Sequence, residues 1–379
     1  MANESMELSE RAQTWAATMG GHGQDSVRTA HVDSRAQLGT TEILARGARE
    51  ELEDRLLAPG AARARDAGDR ARPESPDPRR TCFERDRDRV LHSTSFRRLA
   101  GKTQVFIFPD DHQRTRLTHA LEVAQVALSI ARALKLNTAL VEAIALAHDC
   151  GHGPGGHASE DALAPFVDGG YNHAIWGADV VLEPLNLCCA TLDGVRNHSW
   201  SRPAPQTLEG EVVSWADRIA YVCHDFEDAV QAGIVTTDML PPVVLERCGR
   251  DRRTQLAAFV GGLVDAATAT GRVAMVEPLA EALSAFRAFN YETIYLRPAA
   301  VKEAAAVIRV LQALVERYAD RPNLLPDDHR PGATMSATPE AYRAAVSYVG
   351  GMTDRFACQS AVTLLDWTNA DLPAGFARS

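Results

Sequence analysis

The spacing of apolar positions sets a helical period over most of the chain from residue 85 onward. Val90, Leu91, Phe96 and Leu99 recur at helix spacing, and so do Leu117, Leu121, Ala124 and Leu128. An Ala- and Leu-rich stretch from Thr138 to His148 predicts a third helix, which Gly151 and Gly153 forbid to continue. A fourth is predicted from Leu208 to Ala232, and beyond Pro242 further amphipathic helices fall near 252–269, 277–292, 299–318 and 339–366, separated by Gly and Pro clusters. Alternating patterns are scarce, with TQVFIF at 103–108 the best candidate for a strand. No repeat with a period of about 20 to 50 residues is present, which argues against a solenoid. The pattern predicts an all-α protein.

The first 45 residues mix Gly, Ser, Thr, His and charges without periodicity, so they are expected to form a poorly ordered extension. Charges dominate from Glu50 to Arg89, and the three prolines of RPESPDP, 72–78, exclude a continuous helix there and place a loop.

Composition narrows the function. With 379 residues, 45% hydrophobic and 24% charged, the chain is an ordinary globular one that can bury a sizeable core. Its 50 acidic against 40 basic side chains give a formal charge of -10, which argues against a general nucleic-acid binder. Only Lys102, Lys135 and Lys302 are lysines; the other basic residues are arginines, a bias read as base composition of the genome. Seven cysteines without a CxxC pair suggest neither a disulfide framework nor a thiolate zinc site, and point to a reducing cytoplasm. No apolar run reaches the ~18 residues needed to span a bilayer.

Candidate chemistry lies in one window. Eight of the twelve histidines fall between His112 and His224, less than a third of the chain. His148-Asp149 closes an apolar helix, where a buried imidazole and carboxylate suit a divalent cation of intermediate hardness. HDCGHGPGGHASE then adds His152, His157 and Glu160 on a glycine-rich loop that lets backbone approach a ligand. His119 sits on a helix whose apolar face is read as Leu117, Leu121 and Val123. In WADRIAYVCHDFEDAV, Asp217, Tyr221 and Asp225 are four apart and share a helix face over ~12 Å, at ~1.5 Å per residue. The apolar neighbours Val212, Val213, Trp215, Ile219, Ala220 and Val222 predict that these carboxylates are buried and paired. His119, His148, Asp149 and Asp217 would offer two imidazoles and two carboxylates to one metal, leaving positions free for water and a phosphate oxygen.

This H…HD…D arrangement resembles the HD-domain metal phosphohydrolases, an all-helical superfamily. The flanks RTCFERDRDRVLHSTSFRRLAGKTQVF, RTRLTHALEVAQVALSIARAL, VEAIALAHDCGHGPGGHASE, TLEGEVVSWADRIAYVCHDFEDAV and YVGGMTDRFA resemble the deoxyguanosine triphosphate triphosphohydrolase family and its broader dNTPase-like branch, over about residues 50 to 365. The resemblance implies an HD-domain core at 46–235 and a C-terminal helical region at 236–379 packed on it. It implies hydrolysis of a deoxynucleoside triphosphate to deoxynucleoside and inorganic triphosphate, with a divalent ion (Mg, Mn, Co, Fe or Zn) on His119, His148, Asp149 and Asp217. His157 matches the residue that moves a proton to the leaving 5'-oxygen, and Glu160 the carboxylate that orients it. Arg116, His152, His173 and Arg218 match phosphate contacts, with Lys102 a weaker candidate. Gln104 and Asp225 match positions near the sugar 3'-hydroxyl, and Tyr221 the aromatic under the deoxyribose. A homo-oligomer, often a hexamer, is implied as well.

The chain departs from the family pattern in three places. Gly155 stands where a Phe is usual, so a pocket wall is missing or filled from elsewhere. Ala174 and Trp176 follow His173 in place of the family's Asn and Gln, and Leu192 replaces a basic residue. Two alternatives are carried: an HD phosphohydrolase for another nucleotide phosphoester, and a nucleotide-binding regulator that has lost turnover.

Overall fold

The computed structural model describes residues 9–23, 26–35, 37–39, 42–330 and 335–376. Residues Met1–Leu44 form a unit of their own, in which Ser9 caps a helix α1, Glu10–Thr18, with no buried residue. The second unit, Ala45–Ser379, holds everything else. The structure is all-helical among the described residues, with only isolated β-bridges. None of its helices is long and apolar enough to cross a membrane.

The unit is built around two hydrophobic cores. After α2 (Arg46–Leu56), the first gathers α3 (Cys82–His92), α4 (Thr94–Arg98), α5 (Arg116–Ala133), α6 (Thr138–Ala147) and, further along the chain, α10 (Leu208–Gln231). Sequence capping fixes these starts: Thr81 and Glu84 close a capping box on α3, and Asn137 accepts from Leu140 N–H to open α6, devices worth ~1 kcal/mol each. The 24-residue α10 packs lengthwise on α5. Val123, Ile130, Leu140, Ile144, Val213 and Ile219 interlock between these helices with no exposed surface.

The buried face of α5 keeps Val123 and Ala124 of the expected stripe, with Leu117 and Leu128 packed beside them, but not Leu121. Leu121 is 48% exposed, whereas Arg116, His119, Ala120, Val123, Ala127 and Ile130 point inward. Helices α6 and α10 cover α5 from two sides, and Thr118, Leu121, Gln125 and Arg132 form the strip left to solvent.

The second core is C-terminal. Between α6 and α10 in the chain come α7 (Ala158–Leu163), which joins the second core, α8 (His173–Trp176), and α9 (Cys189–Asn197), whose Val195 joins the first. After α11 (Pro242–Cys248), α12 (Arg252–Thr270) and α13 (Glu277–Asn290), a π-helical turn at Tyr291–Tyr295 leads into α14 (Pro298–Asp320). This helix packs on α7, α15 (Pro339–Gly350) and α16 (Asp354–Leu365), burying Leu163, Val310, Leu314, Val346 and Ala357. The single helix expected at 339–366 is broken at Gly350 and Gly351, and Thr353 caps the new start. The expected strand at 103–108 is loop; its apolar residues line a cavity instead.

Candidate active site

A cavity of about 480 Å³ opens where the two cores meet. Its floor is histidine and carboxylate. α5 contributes His119 from its first turn, α6 ends in His148 and hands on to Asp149, and α10 presents Asp217. His119 Nε2 lies 3.0 Å from Asp217 Oδ1 and 3.9 Å from Asp149 Oδ2; His148 Nε2 is 3.5 Å from Asp149 Oδ2 and 3.7 Å from Asp217 Oδ1. His148 Nδ1 sits 2.7 Å from the Ala145 carbonyl, which only accepts, so Nδ1 carries the proton. Its Nε2 then presents a lone pair, is buried, and has no hydrogen-bond partner. A buried acceptor facing two carboxylates is unsatisfied without a cation, and the mixed imidazole and carboxylate donors fit a divalent ion.

Electrostatics favour the same charges. Burial would raise the Asp149 carboxyl, but the Arg116 guanidinium, 2.6 Å away, opposes it, and the carboxyl is held well below the usual range. Asp217 is held low in the same way by the His119 hydrogen bond, against its own burial.

A second cluster sits above the first. Glu160 Oε2 accepts from His157 Nδ1 and Oε1 from His173 Nδ1, both at 2.9 Å. These bonds hold the Glu160 carboxyl ionised despite the burial that opposes it. His157 is 74% exposed with its free edge on the cavity, while the ring of His152 stacks on His173 at 3.7 Å between centroids. His152 Nε2 approaches Asp149 Oδ1 at 3.2 Å, linking the clusters.

The structure brings together His119, His148, Asp149, Asp217, Arg116, His152, His157, Glu160 and His173. Arg218 lies across the cavity with its guanidinium 3.4 Å over the Trp200 ring. Tyr221 lines the wall and its hydroxyl accepts from Arg287 Nε at 2.8 Å. Gln104 also lines the wall, its Oε1 buried without a partner. Asp225 is buried and paired, as expected: Oδ1 accepts from Arg114 at 2.5 Å and Oδ2 from the Tyr295 hydroxyl. Lys102 is neither a phosphate contact nor solvated. It is 3% exposed and donates to the carbonyls of His152 and Gly350.

Several residues escaped sequence reasoning. Arg114 bonds Asp225, Asp228 and Glu122 at the base of the wall, and Tyr295 and Arg287 come from elements 60 or more residues away from α10's carboxylates. His198 is the sharpest omission. It was one of eight clustered histidines, and its Nε2 lies 3.2 Å from His173 Nε2. Both rings direct Nδ1 to an oxygen, Val195 O and Glu160 Oε1, which leaves their two Nε2 atoms facing each other.

The departures have structural answers. At Gly155, φ is +71° and a Cβ would stand 2.5 Å from Val307, so α14 occupies the space that a side chain there would need. Ala174 and Trp176 are buried, the latter in the second core, and Leu192 packs against the first.

An all-helical fold with a convergent imidazole and carboxylate floor beside a nucleotide-sized cavity defines an HD-domain phosphohydrolase: residues 116–222 match the HD domain and residues 273–362 the phosphohydrolase-associated domain. The chain is 41% identical over 315 residues to the deoxyguanosinetriphosphate triphosphohydrolase-like protein of Caldanaerobacter subterraneus subsp. tengcongensis, covering 81% of this chain and 92% of that one. It is 39% identical to a likewise named protein of Clostridium perfringens (76% and 87% covered) and 35% identical to one of Cereibacter sphaeroides (80% and 98%). The chain belongs to the deoxyguanosinetriphosphate triphosphohydrolase-like family.

Proposed function

We propose that this protein hydrolyses deoxynucleoside triphosphates to 2'-deoxynucleoside and inorganic triphosphate. The observation that carries the reading is the unpartnered Nε2 of His148 facing Asp149 and Asp217 on the floor of the cavity. His119, His148, Asp149 and Asp217 would hold a divalent cation, which supplies Lewis acidity toward water and phosphate oxygen. Arg116, His152, His173 and Arg218 surround that floor, and their donors offset the charge of a polyphosphate. His157, fixed through Nδ1 by Glu160, lines the cavity and delivers a proton to the departing 5'-oxygen. The sugar lies against Tyr221, one turn along α10 from Asp217, with the orphaned Gln104 Oε1 as acceptor for its 3'-hydroxyl. Asp225 keeps a lone pair on each oxygen beside its bonds to Arg114 and Tyr295 for the same hydroxyl.

Product analysis over a dNTP panel with Mg, Mn and Co tests the reading. Inorganic triphosphate is expected; orthophosphate or pyrophosphate would assign another phosphoester, and nucleotide binding without product would assign a regulator. The same reading includes a catalytic core at 46–235 carrying the C-terminal region 236–379, a homo-oligomer as in hexameric family members, and a cytoplasmic setting supported by free thiols. Light scattering of the purified chain measures the subunit count, and the net charge of -10 leads us to expect no nucleic acid in the complex.

A further inference from the structure

Two sequence features have no part in the chemistry above: Lys102, and the segment with Gly350, Gly351 and Asp354 at the break between α15 and α16. The fold puts them in one place. Asp354, 7% exposed, accepts from three donors on two other segments. Thr103 gives its N–H at 2.9 Å and its hydroxyl at 2.6 Å to Oδ2, and Gly155 gives its N–H at 2.8 Å to Oδ1. Lys102 spans the same gap in the other direction, donating Nζ to Gly350 O at 3.0 Å and to the His152 carbonyl. Its own carbonyl accepts from Arg116 N–H at 3.2 Å, at the start of α5.

Every strand of this tie ends at the cavity. Thr103 and Gln104 form its wall, Arg116 its floor, and Gly155 lies two residues before His157. Few other bonds set the height of the glycine loop: Gly153 N–H bonds Ser159 and Ser159 bonds Gly156 O, both within the loop and α7, and at its start the Tyr171 hydroxyl donates to Gly151 O at 2.7 Å. Buried charge is an expensive way to hold backbone, and well-packed apolar side chains would fill such space at lower cost. What an ammonium and a carboxylate add is direction, because each bonds backbone groups of other segments.

We propose that Asp354, together with Lys102, is a positioning residue for hydrolysis: it locks the glycine loop against segment 102–104, in the register that carries His157 to the cavity. The proposal rests on the reading of His157 as proton donor. The C-terminal region thereby sets the geometry of a reaction whose metal ligands lie elsewhere.

The test compares Asp354→Asn, Thr103→Val and Thr103→Ser with wild type. Asn keeps the size but cannot accept on both sides, Val removes only the hydroxyl donor, and Ser keeps it. The readouts are kcat and KM for a dNTP, metal stoichiometry, and hydrogen exchange of the peptide covering 151–157. For Asp354→Asn we expect kcat about tenfold lower or more, with KM and metal content near wild type, and faster exchange at 153–156. Thr103→Val should shift both readouts the same way by less, and Thr103→Ser should match wild type. Wild-type kcat and exchange in Asp354→Asn and Thr103→Val would overturn the proposal, as would a loss that falls on KM alone or that Thr103→Ser shares. Should Asp354→Asn not fold, the Val and Ser pair decides. If wild type itself releases no triphosphate, the functional reading fails, and the exchange data alone decide whether the tie holds the loop.

Discussion

The two walls of the cavity are made in different ways. The metal side stands on the first core: His119, His148 and Asp217 adjoin helical residues, Ala120, Ala147 and Ala216, that are fully buried. Its polar atoms are left partly unsatisfied, as the orphaned His148 Nε2 and His119 Nδ1 show. The proton side stands on the second core, through Ala158, Ala162 and Leu163 of α7. There Glu160 satisfies two rings at once, and the loop before it is held by side chains from distant segments. Rigid helices fix open ligand positions, whereas a loop must be tied at each end before it can place one ring.

If that division is real, damage to one side should spare the other. The largest effect belongs to the metal side: replacing His148 and Asp149 together by Ala should abolish both bound metal and hydrolysis while the helical circular dichroism spectrum persists. Elemental analysis of the purified variant checks it, and full metal with full activity would undo the ligand set. On the proton side, His157→Gln should lower turnover by roughly 10²- to 10⁴-fold with metal content preserved. Metal lost from that variant would merge the two sides into one.

A smaller effect is expected where the walls face each other. A ring packed on the furanose leaves little room for a 2'-hydroxyl, and an unpaired hydroxyl costs about 1 to 3 kcal/mol. Tyr221→Ala should therefore narrow the gap between the kcat/KM values for dGTP and GTP by roughly ten- to a hundredfold, chiefly by weakening dGTP. Asp225→Ala should weaken both nucleotides together. Equal wild-type rates on the two would remove the stacking argument.

The smallest effect serves as a control on the metal side's own helix, away from the cavity. His224 is buried on α10; burial pushes its pKa down to about 3, with Arg114 adding to the shift and the bond to Ala220 O opposing it. The unfolded chain takes up that proton near the ordinary value of 6.5. Between those values the folded state binds fewer protons, so stability falls as pH drops from about 6.5 toward about 3. His224→Gln should soften that decline, so that Tm between pH 7 and pH 5 drops by roughly a few degrees less. An unchanged pH dependence of Tm would show that His224 is not the group responsible.

Much of the metal side was legible in the chain because its residues lie on long helices with local signals: an apolar run ending in His148-Asp149, and a four-residue spacing from Asp217 to Tyr221 to Asp225. Helix limits at Thr138, Leu208 and Arg252 were equally readable from caps and periodicity. What failed was whatever depends on more than one neighbour. Leu121 was assigned to the buried face of α5, although the helices packed on α5 leave it to solvent, and VFI of segment 103–108 was apolar for the sake of a cavity wall and not a sheet. Lys102 looked phosphate-facing because nothing local announces that Gly350 O, almost 250 residues on, will receive it. Tyr295 and Arg287 reach α10 from a region whose periodicity speaks only of helices.

The burial of Lys102 has a practical side. The chain holds only two other lysines, Lys135 and Lys302, and both are exposed, while the ammonium of Lys102 is shut between the two cores. An amine-directed reagent therefore meets two open side chains and one closed one. The rate at which the third acquires label is a clock for how often the seam between the cores parts, read by mass alone and without any nucleotide present.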